Sequence, residues 1–283
     1  MELTFGRLLS LSIAQSLFLF MNSHTFERYQ RRDSLIHHLD PRVKVVLTVL
    51  FILSNALLRD GAWLAFGLAW GVVIAAASLS KISLGFVVKR SFIVLPFTAA
   101  ALTIMFTLPG EPLTSFRLFS WNLTISDTGL IRFLSIVLRS WLSVQMAILL
   151  TVTTTFFDLM HALRHLRVPP ILVSIISFMY RYLFVVVDEV QRLLRARTAR
   201  SALLPGQRGG GTVVWRAKVT GHMAGQLMVR SFERSDRVYN AMLARGFRGE
   251  LLTLNPHVMK QKDWLIAGVV VTMLVAVQII SRF

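Results

Sequence analysis

His161 and His165 stand four residues apart in a segment of helical pattern, a spacing that can present two imidazoles to one metal ion. No cysteine or carboxylate completes the set at a motif spacing, and Arg164 sits between them, so they read as a surface pair rather than a metal centre. The chain has no cysteine, which removes thiolate ligands, disulfides and sulfur nucleophiles. It also has no Gly-x-x-x-x-Gly-Lys-Ser/Thr phosphate loop. The run Gly209-Gly210-Gly211 lacks the lysine and hydroxyl residue that must follow, and it reads as a linker. Neither a zinc-protease helix nor a Gly-x-Ser-x-Gly elbow occurs. No catalytic residue, metal ligand or nucleotide site is therefore expected in this chain. What remains is arginine: Arg139 and Arg181 inside apolar runs, Arg200 and Arg245 in a basic helical region. A guanidinium is planar and permanently charged, and it binds carboxylates or phosphates through paired, oriented hydrogen bonds. The available chemistry is recognition of acidic groups, on a partner protein or on lipid.

The elements that carry these arginines belong to a membrane protein. Of 283 residues, 54% are hydrophobic and 16% charged, against about 25% charged in ordinary soluble domains. Lys and Arg total 31 against 14 acidic residues, a net charge of +17. In a soluble chain that balance would point to nucleic acid. Here the basic residues cluster between apolar runs, as expected for cytoplasmic loops beside anionic lipid headgroups, and no nucleic-acid partner is expected. A polytopic enzyme acting on lipid is the rival of another class, but no acidic pair at a metal-catalytic spacing lies in or beside a span.

Apolar runs long enough for a hydrocarbon core fall at Val43–Leu58, Trp63–Leu79, Phe92–Leu108, Leu130–Thr154 and Trp264–Ile280. A polar connection from Glu111 to Thr128 separates the third from the fourth. Asp40-Pro41-Arg42 opens the first: Asp40 can cap free amides, Pro41 suits the first turn, and Arg42 with Lys44 sits at the inner interface. Counting crossings from there puts Lys81, Arg164 and the basic segment from Arg192 to Arg248 on the cytoplasmic side. Both ends of Pro170–Val187 are then inside, so this run reads as a helix lying in or beneath the membrane, with a sixth span as the alternative. Within it, Arg181 is expected to pair with Asp188 or Glu189 or to reach lipid headgroups, in a structural role. In the fourth span Arg132 and Arg139 are seven apart and share a face; Arg139 is the deeper, and a buried partner is expected for it. The short apolar stretch Leu8–Met21 reads as an interfacial helix, with a secretory signal peptide or an upstream start-codon choice as alternatives that the sequence does not separate. Cytoplasmic helices are expected from Phe156 to Leu166, from Ile171 past Arg200, and from Thr212 to Gly246. Gly246 suits the left-handed position just past a helix end. The fold class is an all-α integral membrane protein with about five, alternatively six, transmembrane helices plus long cytoplasmic helices.

Three passages carry a family resemblance. They are FERYQRRDSLIHHLDPRVK over Phe26–Lys44, TTTFFDLMHALRHLRVPPILVSIISFMYRYLFVVVDEVQRLLRARTAR over Thr153–Arg200, and VRSFERSDRVYNAMLARGFRGE over Val229–Glu250. Together they resemble the T components of energy-coupling factor transporters, most closely CbiQ, the cobalt-uptake type linked to cobalamin biosynthesis. The resemblance implies a multi-pass protein of the cell inner membrane that couples two ABC-type ATPase subunits to a substrate-binding membrane subunit, CbiM-like or another S component. ATP and Mg would be bound by the ATPases and no cofactor by this chain, and lipid would surround it. A nickel or vitamin system is the alternative to cobalt. The resemblance further implies that two Ala-Arg-Gly signatures at the ends of long coupling helices hold the ATPases. The second is matched by Ala244-Arg245-Gly246. The first is matched by Ala199-Arg200-Ser201, with serine in place of glycine. The expected organisation is an N-terminal segment and span entry (1–42), a four-span region (43–155), cytoplasmic coupling helices (156–263) and a C-terminal transmembrane helix (264–283).

Overall fold

A computed structural model describes residues 33–107, 112–118, 121–200, 212–249 and 259–282. The stretch Leu8–Met21, the linker Gly209-Gly210-Gly211 and Ser201 lie outside the described residues. The chain divides into two compact units, residues 27–166 with 255–283, and residues 1–26 with 167–254.

The first unit is helical. Its helix α1 (Pro41–Ala56) starts as its sequence requires. The Asp40 side chain accepts from the Arg42 backbone N–H at 2.9 Å, and Pro41 fills the first turn, where its missing N–H costs nothing. Asp60-Gly61 then breaks the chain, with Gly61 at φ 82, and α2 covers Trp63–Leu79. The third apolar run, Phe92–Leu108, opens on a 3-10 turn at Phe92–Val94 and continues as the α-helix Leu95–Thr107 (α4), and a short helix not expected from the sequence, α3 (Leu84–Ser91), leads into it. Pro96 explains the break: its ring and missing N–H are incompatible with a continuous helix through Phe92, but suit the start of a new one.

The polar connection between the third and fourth runs carries an antiparallel ribbon. Strand β1 (Pro112–Leu118) pairs with β2 (Trp121–Ser126) in the register Phe116 to Leu123 and Ser115 to Thr124, with an irregularity between Pro112 and Thr114. Its Thr, Phe, Trp and Ile content carries the strand preference. The ribbon is a local addition to an all-α membrane fold.

Helix α5 (Asp127–Thr153) is the centre of the unit, packing on α1, α2, α3 and α4. The short α6 (Phe156–His165), capped by Thr155, packs on α1, and α9 (Gln261–Ile280) closes against α1 and α2. Phe51, Phe66, Val73, Leu142, Val152 and Leu274 are buried together in the core. In the second unit α7 (Pro170–Arg200) and α8 (Val213–Ala244) run beside each other. By length and composition α5, α7 and α9 can each cross a bilayer, and α2 is a shorter apolar helix.

Two polar clusters hold the first unit at its ends. At one end Arg139 donates to Asp60 Oδ1 at 2.7 Å and to the Leu58 carbonyl, while Arg132 Nε lies 3.6 Å from Asp60 Oδ2. The partner expected for Arg139 is thus the aspartate of the α1–α2 break, and the arginine one heptad earlier shares it. Asn55, also buried, donates to the Arg139 carbonyl and Ser143 Oγ at 2.8 and 2.9 Å. At the other end Lys44, expected at the interface, is only 7% exposed. Its Nζ donates to the carbonyls of His37 and Thr153 at 3.1 and 3.2 Å. The carboxylates of Asp158, Asp40 and Asp263 act on it electrostatically. A helix start read as a topology signal is also a buried joint between the entry turn, α1 and the end of α5.

Candidate functional site

The arginines of the two signatures lie on the α7–α8 pair. Contacts along the pair fix its sense. Ser174 Oγ donates to the Gly249 carbonyl at 2.9 Å, and the Phe178 and Phe247 rings meet edge to face at 5.9 Å. Further along, Arg234 donates to Glu189 at 2.7 Å, and Arg197 donates to Thr220 Oγ1 at 2.8 Å. Partners rise on one helix as they fall on the other, so the pair is antiparallel. Glu189 is 9% exposed and also lies 3.6 Å from Arg230. Sequence reading offered Glu189 to Arg181 on the same helix; instead Arg230 and Arg234, four apart on α8, take it. Those two arginines on one face, opposite an acid in an otherwise basic segment, were the signal available.

The antiparallel arrangement places the two signatures at opposite ends. Ala199 and Arg200 are the last residues of α7. Ala244 ends α8, and Arg245 is its C-cap. The level of Arg245 on α7 is marked by Arg181, with which it lines one cavity, so Arg200 lies nineteen residues, or roughly 30 Å, further along at 1.5 Å per residue.

The geometry at Arg245 has a specific cause. Gly246 has φ 77; its N–H bonds the Leu243 carbonyl at 2.9 Å and the Phe247 N–H bonds the Met242 carbonyl at 3.0 Å. This is the paired closure that ends a helix through a left-handed residue, with Phe247 packed back on Phe178. The glycine was expected in this conformation. Its consequence is that the direction of Arg245 is set by a closed turn rather than a frayed end. Space is not the reason for glycine, since nothing lies within 4 Å of an added Cβ. Gly246→Ala should therefore cost roughly 1 kcal/mol through the left-handed backbone alone. Thermal unfolding and hydrogen exchange at residues 243–247 check this: the last turn of α8 should lose protection while the rest of α8 keeps it.

Arg245 shares a cavity of about 730 Å³ with Arg181 and Arg248, walled by Phe178, Tyr182 and Phe247. Asp40, Pro41 and Arg42 lie elsewhere, at the start of α1 in the other unit, where they shape the helix entry. His161 is buried rather than on the surface, its ring centroid 4.5 Å from that of His165 and the two planes tilted by 43°. His165 Nδ1 lies 3.0 Å from the His161 carbonyl oxygen. Among the described residues no group of three or more His, Asp or Glu comes together in a metal-holding cluster.

The family model described as "Cobalt transport protein" (CbiQ) matches residues 32–255, most of the chain and both long helices of the pair. The chain belongs to the CbiQ family. It is similar to an uncharacterized protein of Methanocaldococcus jannaschii, 27% identical over 255 residues that make up 88% of this chain and 84% of that protein. It is also similar to the energy-coupling factor transporter transmembrane protein EcfT of Brevibacillus brevis, 28% identical over 88% of this chain and 95% of the relative. The EcfT of Clostridium kluyveri is 26% identical over 91% and 96%. The similarities run through the span entry, the membrane helices and the α7–α8 pair alike, so this CbiQ-family chain is a multi-pass membrane protein over its matched length.

Proposed function

We propose that the chain is the T component of an energy-coupling factor transporter in the cell inner membrane, with cobalt ion as cargo. Two ABC-type ATPases bind at Ala199-Arg200-Ser201 and Ala244-Arg245-Gly246, and a substrate-binding membrane subunit binds alongside. ATP and Mg are held by the ATPases. The observation that carries this reading is the antiparallel pair with one exposed arginine signature at each end. Two ATPases need two separate joints, and roughly 30 Å of helix keeps their footprints apart. Arginine is suited to each joint because a bidentate bond to a carboxylate fixes orientation, which a joint that transmits movement requires. The similarity to EcfT proteins over nearly their whole length supports the same assignment.

The test is affinity purification of the tagged full-length chain from its host membrane, followed by nucleotide hydrolysis and uptake assays. Two phosphate-loop ATPases and a small membrane subunit should co-elute. The chain stripped of partners should hydrolyse no ATP, and cells lacking it should lose labelled-cobalt uptake. Hydrolysis by the stripped chain, or elution without any ATPase, overturns the coupling reading. Loss of nickel or vitamin uptake with cobalt uptake intact keeps the coupling role and replaces the cargo.

A further inference from the structure

The cavity at Arg245 is chemically richer than a single-arginine joint needs. Arg181 reaches it from the middle of the apolar run of α7, and Arg248 from just past the turn at Gly246. Among the described residues none of the three is paired with a carboxylate. Three like charges at one site, with no acidic counterpart among the described residues, mark a place for a multivalent anion.

The neighbouring space says what the anion is attached to. A second cavity of about 490 Å³ continues from the first, sharing Phe178, Tyr182 and Phe247 as walls. Its outer lip is Ile171, Ile175 and Met179, exposed by 52%, 55% and 64%. These belong to the run of α7 that is long and apolar enough for a bilayer. An extended peptide laid here would bring backbone amides into an apolar groove, at a cost for each group left unpaired. An acyl chain brings none. A groove that is mostly apolar, its one arginine (Arg234) already held by Glu189 and its polar groups otherwise serine and tyrosine hydroxyls, and trivalently cationic at one end is complementary to an amphiphile with an anionic head.

We propose that these cavities form a binding site for an anionic phospholipid, its phosphate held by Arg181, Arg245 and Arg248 and one acyl chain lying along Ile171, Ile175 and Met179. The site shares Arg245 with the proposed ATPase joint but does not depend on that reading. If both hold, lipid composition of the inner leaflet would tune how firmly that ATPase docks.

The probe is phosphatidylglycerol against phosphatidylcholine, titrated onto the full-length chain in detergent and counted by native mass spectrometry. The wild-type chain should retain one phosphatidylglycerol in preference to phosphatidylcholine. R181Q/R248Q, which leaves Arg245 in place, should weaken that retention about thirtyfold, since each arginine near a phosphate contributes roughly a factor of five or more. R181K/R248K keeps the charge and should recover retention to within about threefold. R195Q/R237Q, which removes two exposed cations outside both cavities, should leave it unchanged. Unfolding temperature and elution profile confirm that each variant folds, and a variant that fails this check is replaced by Met179→Glu, which places a like charge against the acyl chain. Equal retention of the two lipids by the wild-type chain, or phosphatidylglycerol retention unaffected by R181Q/R248Q, overturns the proposal. Loss of an ATPase from R181Q/R248Q with lipid retention intact also overturns it, and assigns the arginine cluster to an acidic protein segment instead.

Discussion

Arg245→Glu should strip one ATPase from the purified complex and abolish coupled uptake, while the variant chain itself folds and inserts normally. Arg245 has no carboxylate partner among the described residues, so inverting its charge removes nothing that holds α8 in place. The turn that orients it is made by the backbone of Gly246 and Phe247 and survives the change. At the partner, an attraction becomes a repulsion. Removing one member of a buried, hydrogen-bonded charge pair across an interface costs about 2–5 kcal/mol, or roughly thirtyfold or more in affinity. That is enough to lose a subunit during purification. Arg200→Glu should weaken the other joint in the same way. Arg237→Glu on the exposed face of α8 is the control, and a headgroup-facing cation there is worth about 1 kcal/mol. Retention of both ATPases by Arg200→Glu and Arg245→Glu at the level of Arg237→Glu would show that the signatures are part of a general basic surface.

The helices and their ends were legible because they are local. Asp40-Pro41, Thr155 with Asp158, and Gly246 announce their caps within four residues of sequence, and the structure uses each of them as a cap or turn. The interruption at Phe92–Val94 was equally local, written in Pro96, but apolar content outweighed it in the sequence reading. The ribbon at Pro112–Ser126 was missed for a different reason. A short hairpin in a polar connection has no periodicity long enough to stand out, and only its residue preferences marked it. The polar joints were illegible as pairs. Arg139 could be recognised as needing a partner, but nothing in the sequence singles out Asp60 over the other carboxylates until α1 and α2 fold back on α5. Arg181 was read toward Asp188 and Glu189 by proximity in sequence; the structure turns it to the cavity of Arg245 and gives Glu189 to α8. Helix neighbours are read from spacing, whereas partners across an antiparallel pair depend on a register that spacing does not contain.

Lys44 carries the second large effect, and it lies far from any proposed interface. Lys44→Met preserves the length and most of the volume of the side chain while removing its charge and donors. Two backbone carbonyls, those of His37 and Thr153, lose the ammonium that bridges the entry turn to the end of α5. The carboxylates of Asp158, Asp40 and Asp263 lose the cation that they share, and Asp40 and Asp263 are themselves buried. A buried polar group left without its partner costs about 1–3 kcal/mol, more for a charged one, and here two carbonyls lose their donor while three carboxylates lose a nearby cation. Against a total stability of about 5–15 kcal/mol this is a large share, so the variant should accumulate poorly and unfold at a clearly lower temperature in detergent. Arg42→Met two residues earlier should do less, since the Arg42 backbone N–H that donates to Asp40 survives the change and the half-buried guanidinium lies no nearer than 3.9 Å to that carboxylate. Adding Asp158→Asn to Lys44→Met should recover part of the lost stability. The asparagine keeps an oxygen for the Thr155 hydroxyl, which sits 2.7 Å from the aspartate, while one negative charge near the lost ammonium is gone. Such recovery is the signature of an electrostatic joint, because two independent lesions would add. Unfolding temperatures for Lys44→Met and Arg42→Met within a degree or two of each other would instead place Lys44 among the interfacial cations that its sequence position first suggested.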